Sequence, residues 1–261
     1  MRNVTVFAAL LIVVCMLAGL NGCVLTRMNV IGSGILETRE MEFSGFTELR
    51  VGSAFEVEVV RSDVHSVSIT VDNNLFEHLS VKKSGRTLFV GLKAGNYTQT
   101  TQRATISMPD LEYLALSGAS RGTISGFSSS RSLKLALSGA SWLHTADMQA
   151  GNTTFELSGA SDLSGGIRMG DARINLSGAS SIQLEGSAGD VIIQASGASG
   201  ATVADLPCEN VKVSLTGASN ATVNAGGTLD ASLSGASRLE YLGTPALGSI
   251  SVSGGSTMFR K

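Results

Sequence analysis

The sequence predicts an all-β fold: a single-stranded right-handed parallel β-helix, a solenoid with coils of about 19–20 residues, preceded by an N-terminal β segment. Three observations predict it. The tetrapeptide Ser-Gly-Ala-Ser recurs, with small variations, eight times at a nearly fixed spacing. Apolar residues alternate with polar ones on both sides of each copy. The composition is rich in Gly (31 of 261 residues) and poor in aromatic (5%) and charged (15%) residues, so any core must be built from small and branched aliphatic side chains.

The motif begins at Ser117 and returns at Ser138, Ser158, Ser177, Ser196, Thr216, Ser234 and Ser253. A period near 20 residues marks a solenoid. Counting the first Ser or Thr as position zero, positions −5, −3 and −1 are apolar. They are Leu133, Leu135 and Leu137 in one copy and Val211, Val213 and Leu215 in another. Positions +5 and +7 are often apolar too, as in Ile182 with Leu184 and Ala221 with Val223. Alternation of period two is that of a strand with one face inward. Gly151, Gly170, Gly189 and Gly227 recur at −7 and predict a second corner. Each repeat is therefore strand, corner, strand, turn. That is too short for a βαβ unit, which needs about 30 residues. No 3.6-residue stripe supports a helical repeat, and no hexapeptide apolar period supports the left-handed form.

The glycines Gly118, Gly139, Gly159, Gly178, Gly197, Gly217, Gly235 and Gly254 are the predicted structural corners, since a tight corner needs backbone angles closed to other residues. The Ala is expected to keep the inside of the corner small. The Ser hydroxyls are expected to bond to backbone or to one another, in two polar ladders along one edge.

Before the repeats, residues 44–110 read as the N-terminal β segment. Phe55, Val57 and Val59 alternate with Glu56 and Glu58, and Val67, Ile69 and Val71 lead to a turn at Asp72-Asn73-Asn74. Ser84-Gly85 predicts a further turn, and residues 95–102 an exposed loop. Residues 23–43 read as a tether. Residues 1–22 read as a secretory signal: Arg2, an apolar run from Val4 to Leu20, then Asn21-Gly22. Leu20-Asn21-Gly22-Cys23 resembles the bacterial lipobox. That resemblance implies cleavage before Cys23, its lipidation, and a membrane partner reached through that anchor. Val24, in place of Asp, implies outer-membrane sorting in a Gram-negative cell.

Loss of residues 1–22 would remove Arg2 and no acid, leaving a formal charge of −3. With no basic stripe, nucleic acid is not an expected partner. Of three cysteines, only Cys208 would remain as a thiol in the body, so no internal disulfide is expected, and it reads as a small buried hydrophobe. His65, His78 and His144 are far apart in sequence, so no metal, cofactor or His-based catalytic pair is expected. A Ser nucleophile would occur once, on a strand–helix elbow, whereas this motif occurs eight times without a helix. Position +4 varies from copy to copy and reads as solvent-facing. Trp142 stands there as the candidate surface-binding residue. Asp147, Asp171, Asp190 and Asp205 come from different copies and could share an outer face; solvated turns are the simpler reading.

The motif, its period and the opening Phe46-Thr47-Glu48-Leu49-Arg50-Val51, followed by Phe55-Glu56-Val57-Glu58-Val59 and Asp72-Asn73-Asn74-Leu75, resemble the GIN-domain family, the auto-transporter adhesin head domains. The resemblance spans about residues 44–255 of a GIN-like domain set at 44–261. It implies the β-helix and offers no catalytic residue. Nothing after residue 256 is long enough for a membrane barrel of about ten-residue strands. The expected function is a non-catalytic cell-envelope lipoprotein with an adhesin-like binding or structural role, its ligand a glycan or an envelope protein. The alternative is a polysaccharide-active β-helix enzyme, which would show acids clustered with Arg or Lys in a groove.

Overall fold

The structure, a computed structural model, describes residues 29–261. The signal segment and Cys23 lie outside the described residues. Strands β1 (Asn29–Ile31), β2 (Leu36–Glu40), β3 (Glu48–Val51), β4 (Glu56–Arg61), β5 (Ser66–Asp72), β6 (Leu79–Ser84), β7 (Thr87–Leu92), β8 (Asn96–Thr98) and β9 (Gln102–Met108) precede the repeats. The repeats supply β10 (Tyr113–Leu116), β11 (Arg121–Ser125), β12 (Leu133–Leu137), β13 (Trp142–Gln149), β14 (Thr153–Leu157), β15 (Asp162–Arg168), β16 (Ala172–Leu176) and β17 (Ser181–Ser187). They continue with β18 (Val191–Ala195), β19 (Gly200–Cys208), β20 (Val211–Leu215), β21 (Asn220–Ala225), β22 (Thr228–Leu233), β23 (Arg238–Gly243), β24 (Ala246–Val252) and β25 (Thr257–Arg260).

Each motif copy joins a strand of one sheet to a strand of another. The first sheet runs β24-β22-β20-β18-β16-β14-β12-β10-β3-β7-β6, and the second β2-β5-β9-β4-β11-β13-β15-β17-β19-β21-β23-β25. Successive coils pair in parallel, each satisfying its backbone on the coils above and below at the ~4.8 Å strand spacing. Register aligns like positions. Leu135, Phe155, Ile174, Ile193, Val213 and Ala231 stack in one inward row and are all buried. The inward residues of both sheets merge into one core. The predicted alternation at −5, −3 and −1 is this row and its neighbours.

The corner differs in two ways from expectation. The Ala does not line its inside: Ala119, Ala140, Ala160 and Ala179 are exposed, and their role is in the backbone. The Ala140 N–H donates to the Gly118 carbonyl at 2.8 Å, and the Ala160 N–H to that of Gly139 at 2.7 Å. The inside is filled instead by the last Ser. Ser120, Ser141, Ser161, Ser180, Ser199, Ser219 and Ser237 are at most 1% exposed. Each hydroxyl donates to the carbonyl of its own motif's first residue, at 2.7–2.9 Å. A buried hydroxyl without a partner would be costly, and this bond closes the corner while satisfying it. The hydroxyls therefore bond to backbone and not to one another. The corner glycines take φ between +68° and +81°. A Cβ on Gly159 would stand 2.4 Å from the Gly139 carbonyl oxygen, so stacking as well as conformation demands Gly there.

The N-terminal region is β, as the sequence predicts, and the structure adds how it joins the repeats. The N-terminal β segment, residues 44–110, is continuous with the solenoid and extends it by further coils. β3 and β4 pair in parallel with β10 and β11, so residues 48–61 form a coil. Its corner, Gly52-Ser53-Ala54-Phe55, carries no Ser-Gly-Ala-Ser signature. Ser53 and Ala54 hold left-handed φ (59° and 58°), and Phe55 fills the place of the buried Ser. β7 and β9 form the next coil outward, pairing in parallel with β3 and β4. The chain thus begins at the outer edge with β2, passes inward to the coil of β3 and β4, runs outward again, and returns to begin β10. Antiparallel β6 and β5 then close the end, with β6 turning back on β7 through Gly85 as the Ser84-Gly85 signal predicts. Such a cap covers the edge that a bare coil would leave open.

Within the expected tether, Asn29–Ile31 and Leu36–Glu40 are strands. β2 pairs antiparallel with β5, and β1 pairs with β8, so the loop expected at 95–102 also contains a strand. A 3-10 helix, Asn73–His78, stands where the sequence predicts the Asp72-Asn73-Asn74 turn, and its first residues hold this segment down. Asn74 accepts from the Ser33 N–H and donates to the Ile31 carbonyl, and Asn73 accepts from the Ser33 hydroxyl.

Candidate functional site

A groove of about 1110 Å³ runs along the outer face of the first sheet. Strand register builds it. Arg50, Phe89, Ala115, Ala136, Glu156, Asn175, Gln194 and Ser214 take matching outward positions on neighbouring strands. Ala115 and Ala136 are the smallest of these, so the face dips where they meet. Tyr113 and Phe89 stand beside the dip, both partly exposed. The first hydroxyl of each motif, Ser117 to Thr216, lines the long edge.

Electrostatics set the cap-proximal end apart. The Arg50 guanidinium lies 5.2 Å from the Tyr113 ring centre and 5.8 Å from that of Phe89. The Lys82 ammonium lies 5.5 Å from the same Phe89 ring. Among the described residues neither cation joins an ion pair, although nearby arginines do. Arg86 bridges Glu48 and Glu112, and Arg131 bridges Glu112 and Asp110. The hydrogen bond from Arg131 is the main cause holding the Glu112 carboxyl below its usual range. Farther along the groove Glu156 is matched by Lys134 at 2.7 Å.

Trp142 lies elsewhere. It sits on β13, on the outer face of the second sheet, 37% exposed. Its ring stacks on His144, with centres 5.9 Å apart and planes 7° from parallel. It borders a smaller depression of about 620 Å³ with Thr105, Thr123 and Arg121. The sequence signalled Trp142 as a lone ring at a variable position. It gave no comparable signal for Arg50, Lys82, Phe89 and Tyr113, which lie on four different strands.

The four aspartates separate into two groups. Asp147 and Asp205 line a depression on the second sheet with Glu185 and Arg168. Asp171 and Asp190 belong to a structural ladder at the second corner. The Asn152 side-chain oxygen accepts from the Asp171 N–H, Asp171 from Asp190, Asp190 from Asn210, and Asn210 from Thr228, at 3.0–3.2 Å. Each carboxylate or amide caps the backbone of the coil above it. Cys208 is buried, its thiol donating to the Asn224 carbonyl at 3.1 Å. No group of acids, histidines and cysteines that could hold a metal ion occurs among the described residues, and no helix there is long and apolar enough to cross a membrane.

Residues 45–245 match the family described as "Putative auto-transporter adhesin, head GIN domain". The chain belongs to this family. The fold recurs in solved structures. A "putative adhesin" from Parabacteroides merdae ATCC 43184 matches with a TM-score of 0.83 at 18% identity, over 90% of this chain and 99% of its own. A "putative lipid binding protein" from Parabacteroides distasonis ATCC 8503 matches at 0.79 and 19%, over 89% and 99%. A "putative adhesin" from Bacteroides fragilis NCTC 9343 matches at 0.65 and 20%, over 89% and 100%. No curated protein matches the chain in sequence. At these identities the likeness shows the fold alone. The GIN-domain solenoid seen here therefore has the family's body, with its own side chains on the outer faces.

Proposed function

We propose that this GIN-domain protein is a non-catalytic, adhesin-like binding protein of the cell envelope, and that the groove on the first sheet is where it binds. The observation that carries the reading is the alanine-floored dip beside Tyr113 and Phe89. Partly exposed rings next to a shallow polar trough suit the apolar faces and hydroxyl edges of an extended ligand. The family's description supports an adhesin-like role. The lipobox-like Leu20-Asn21-Gly22-Cys23 supports a lipid anchor at Cys23, and Val24 in place of Asp supports placement at the outer membrane. Lipidation at Cys23 is checked by mass spectrometry of the mature N-terminus and its loss in Cys23→Ser.

The binding test is a screen of residues 24–261 against glycans and envelope components. The expected result is a ligand whose binding falls in Tyr113→Ala while thermal stability stays close to that of the parent. The depression lined by Asp147, Glu185, Asp205 and Arg168 is where the enzyme alternative, with acids beside an arginine, would be sought. Turnover of any polysaccharide, abolished by Asp205→Asn, would overturn the non-catalytic reading.

A further inference from the structure

Resting on that reading, we infer that the groove selects an acidic glycan, and that Arg50 and Lys82 receive a sugar carboxylate at its cap-proximal end. The Arg50 guanidinium lies within reach of the faces of Tyr113 and Phe89, and its planar fork suits a carboxylate taken by two parallel hydrogen bonds. Lys82, on the other side of Phe89, adds a second positive charge. Neither cation is neutralised by a carboxylate of the described residues, whereas Arg86 and Arg131 close by are. The ring of Tyr113 and the dip over Ala115 and Ala136 take the body of the sugar.

The far half of the groove has a different character. Glu156 is already paired with Lys134, and Asn175, Gln194 and Ser214 follow it. These are hydroxyl partners and offer no free positive charge. The site therefore fits a chain with an acid sugar at one place and hydroxyl-rich sugars after it. A strip of uniform negative charge would meet Glu156 unfavourably. The register of the strands, about one coil per ~4.8 Å, lets the chain lie along the row of outward side chains.

The test compares an uronic-acid polysaccharide with its carboxyl-reduced form, the same backbone made neutral. It uses residues 24–261, which hold every buried core residue from Phe46 to Leu239. The acid form is expected to bind at least about tenfold more tightly, as charged hydrogen bonds permit. That advantage should shrink as salt is raised. Arg50→Gln and Lys82→Gln should each erase most of it, and thermal midpoints would show both variants folded. Equal binding of the two forms, lost in Tyr113→Ala, would overturn the acidic-sugar inference and leave the groove reading standing. Binding of neither form would sink the acidic-sugar inference, and failure of every screened ligand would sink the groove reading with it. Binding to anionic phosphatidylglycerol vesicles that needs Arg50, with no binding of the polysaccharide, would replace the glycan with a lipid headgroup and so overturn the inference.

Discussion

The Asp72 carboxylate accepts the Gly34 N–H at 2.7 Å, and its other oxygen accepts the Thr101 N–H at 2.7 Å. Asp72 is 1% exposed. One buried acid thus ties the N-terminal strands and the loop after β8 to the end of the solenoid. Asp72→Ala removes the buried acceptor of two backbone N–H groups, one on exposed Gly34 and one on half-buried Thr101, and a loss of roughly 1.5–3 kcal/mol follows from the strength of hydrogen bonds to a charged group. Amide exchange at Gly34 and Thr101 should quicken and proteolysis between residues 31 and 40 should appear. Exchange in β14 to β20 should stay unchanged. Uniform exchange across the molecule would show that the clamp is not local.

Gly159→Ala places a methyl against the Gly139 carbonyl and a residue with a Cβ at φ +77°. The conformation alone costs about 1–2 kcal/mol, and the overlap adds to it. Ala160→Ser, one residue on, changes an exposed side chain and is expected within about 0.5 kcal/mol of the parent. Urea midpoints of the two variants check the contrast; equal losses would contradict the corner geometry.

The two serines of one motif should differ in the same experiment. Ser161 is fully buried and donates to the Ser158 carbonyl at 2.9 Å. Ser158 is half-exposed, and its hydroxyl reaches the Leu137 carbonyl only at 3.5 Å. Ser161→Ala is expected to lose about 1 kcal/mol, and Ser158→Ala a few tenths. Ser161→Val, which adds volume without a donor, should lose more than either.

Burial, aided by Asp190, pushes the Cys208 thiol up to about 11. In the unfolded chain it titrates near its ordinary value of 9.0. The folded state therefore favours the protonated form. This contribution is complete below pH 9 and is lost as pH rises through about 11. Native protein at pH 8 should react with iodoacetamide far more slowly than urea-unfolded protein. Cys208→Ser should flatten the alkaline fall in stability. A thiol that alkylates at the unfolded rate would contradict its burial.

The repeats were legible in the sequence because every coil solves the same problem. Each must bury an inward row and turn a corner, so the same residue types return every 18 to 21 positions. Gly139 and Gly159 announce themselves for that reason. The inside of the corner is not legible in the sequence because Ala and Ser are both small. Only the fold shows that the chain turns Ala160 outward and Ser161 inward. The coil at residues 48–61 leaves no repeat signature because its corner uses Ser53 and Ala54 in the left-handed region, with no Gly where the motif has one. The ladder through Asp171 and Asp190 is not legible because an acid at a turn has the same composition whether it is solvated or capping a neighbour.

By itself, then, the sequence determined the all-β solenoid, its period, its inward rows and its corner glycines. Those are local patterns, repeated until their meaning is plain. Tertiary structure alone decided the order of the first coils, the strands within residues 29–40 and the groove. Arg50, Lys82, Phe89 and Tyr113 become neighbours only because β3, β6, β7 and β10 pair across long separations. Such pairing is set by register and by loop closure between distant segments, and no short window of sequence records it.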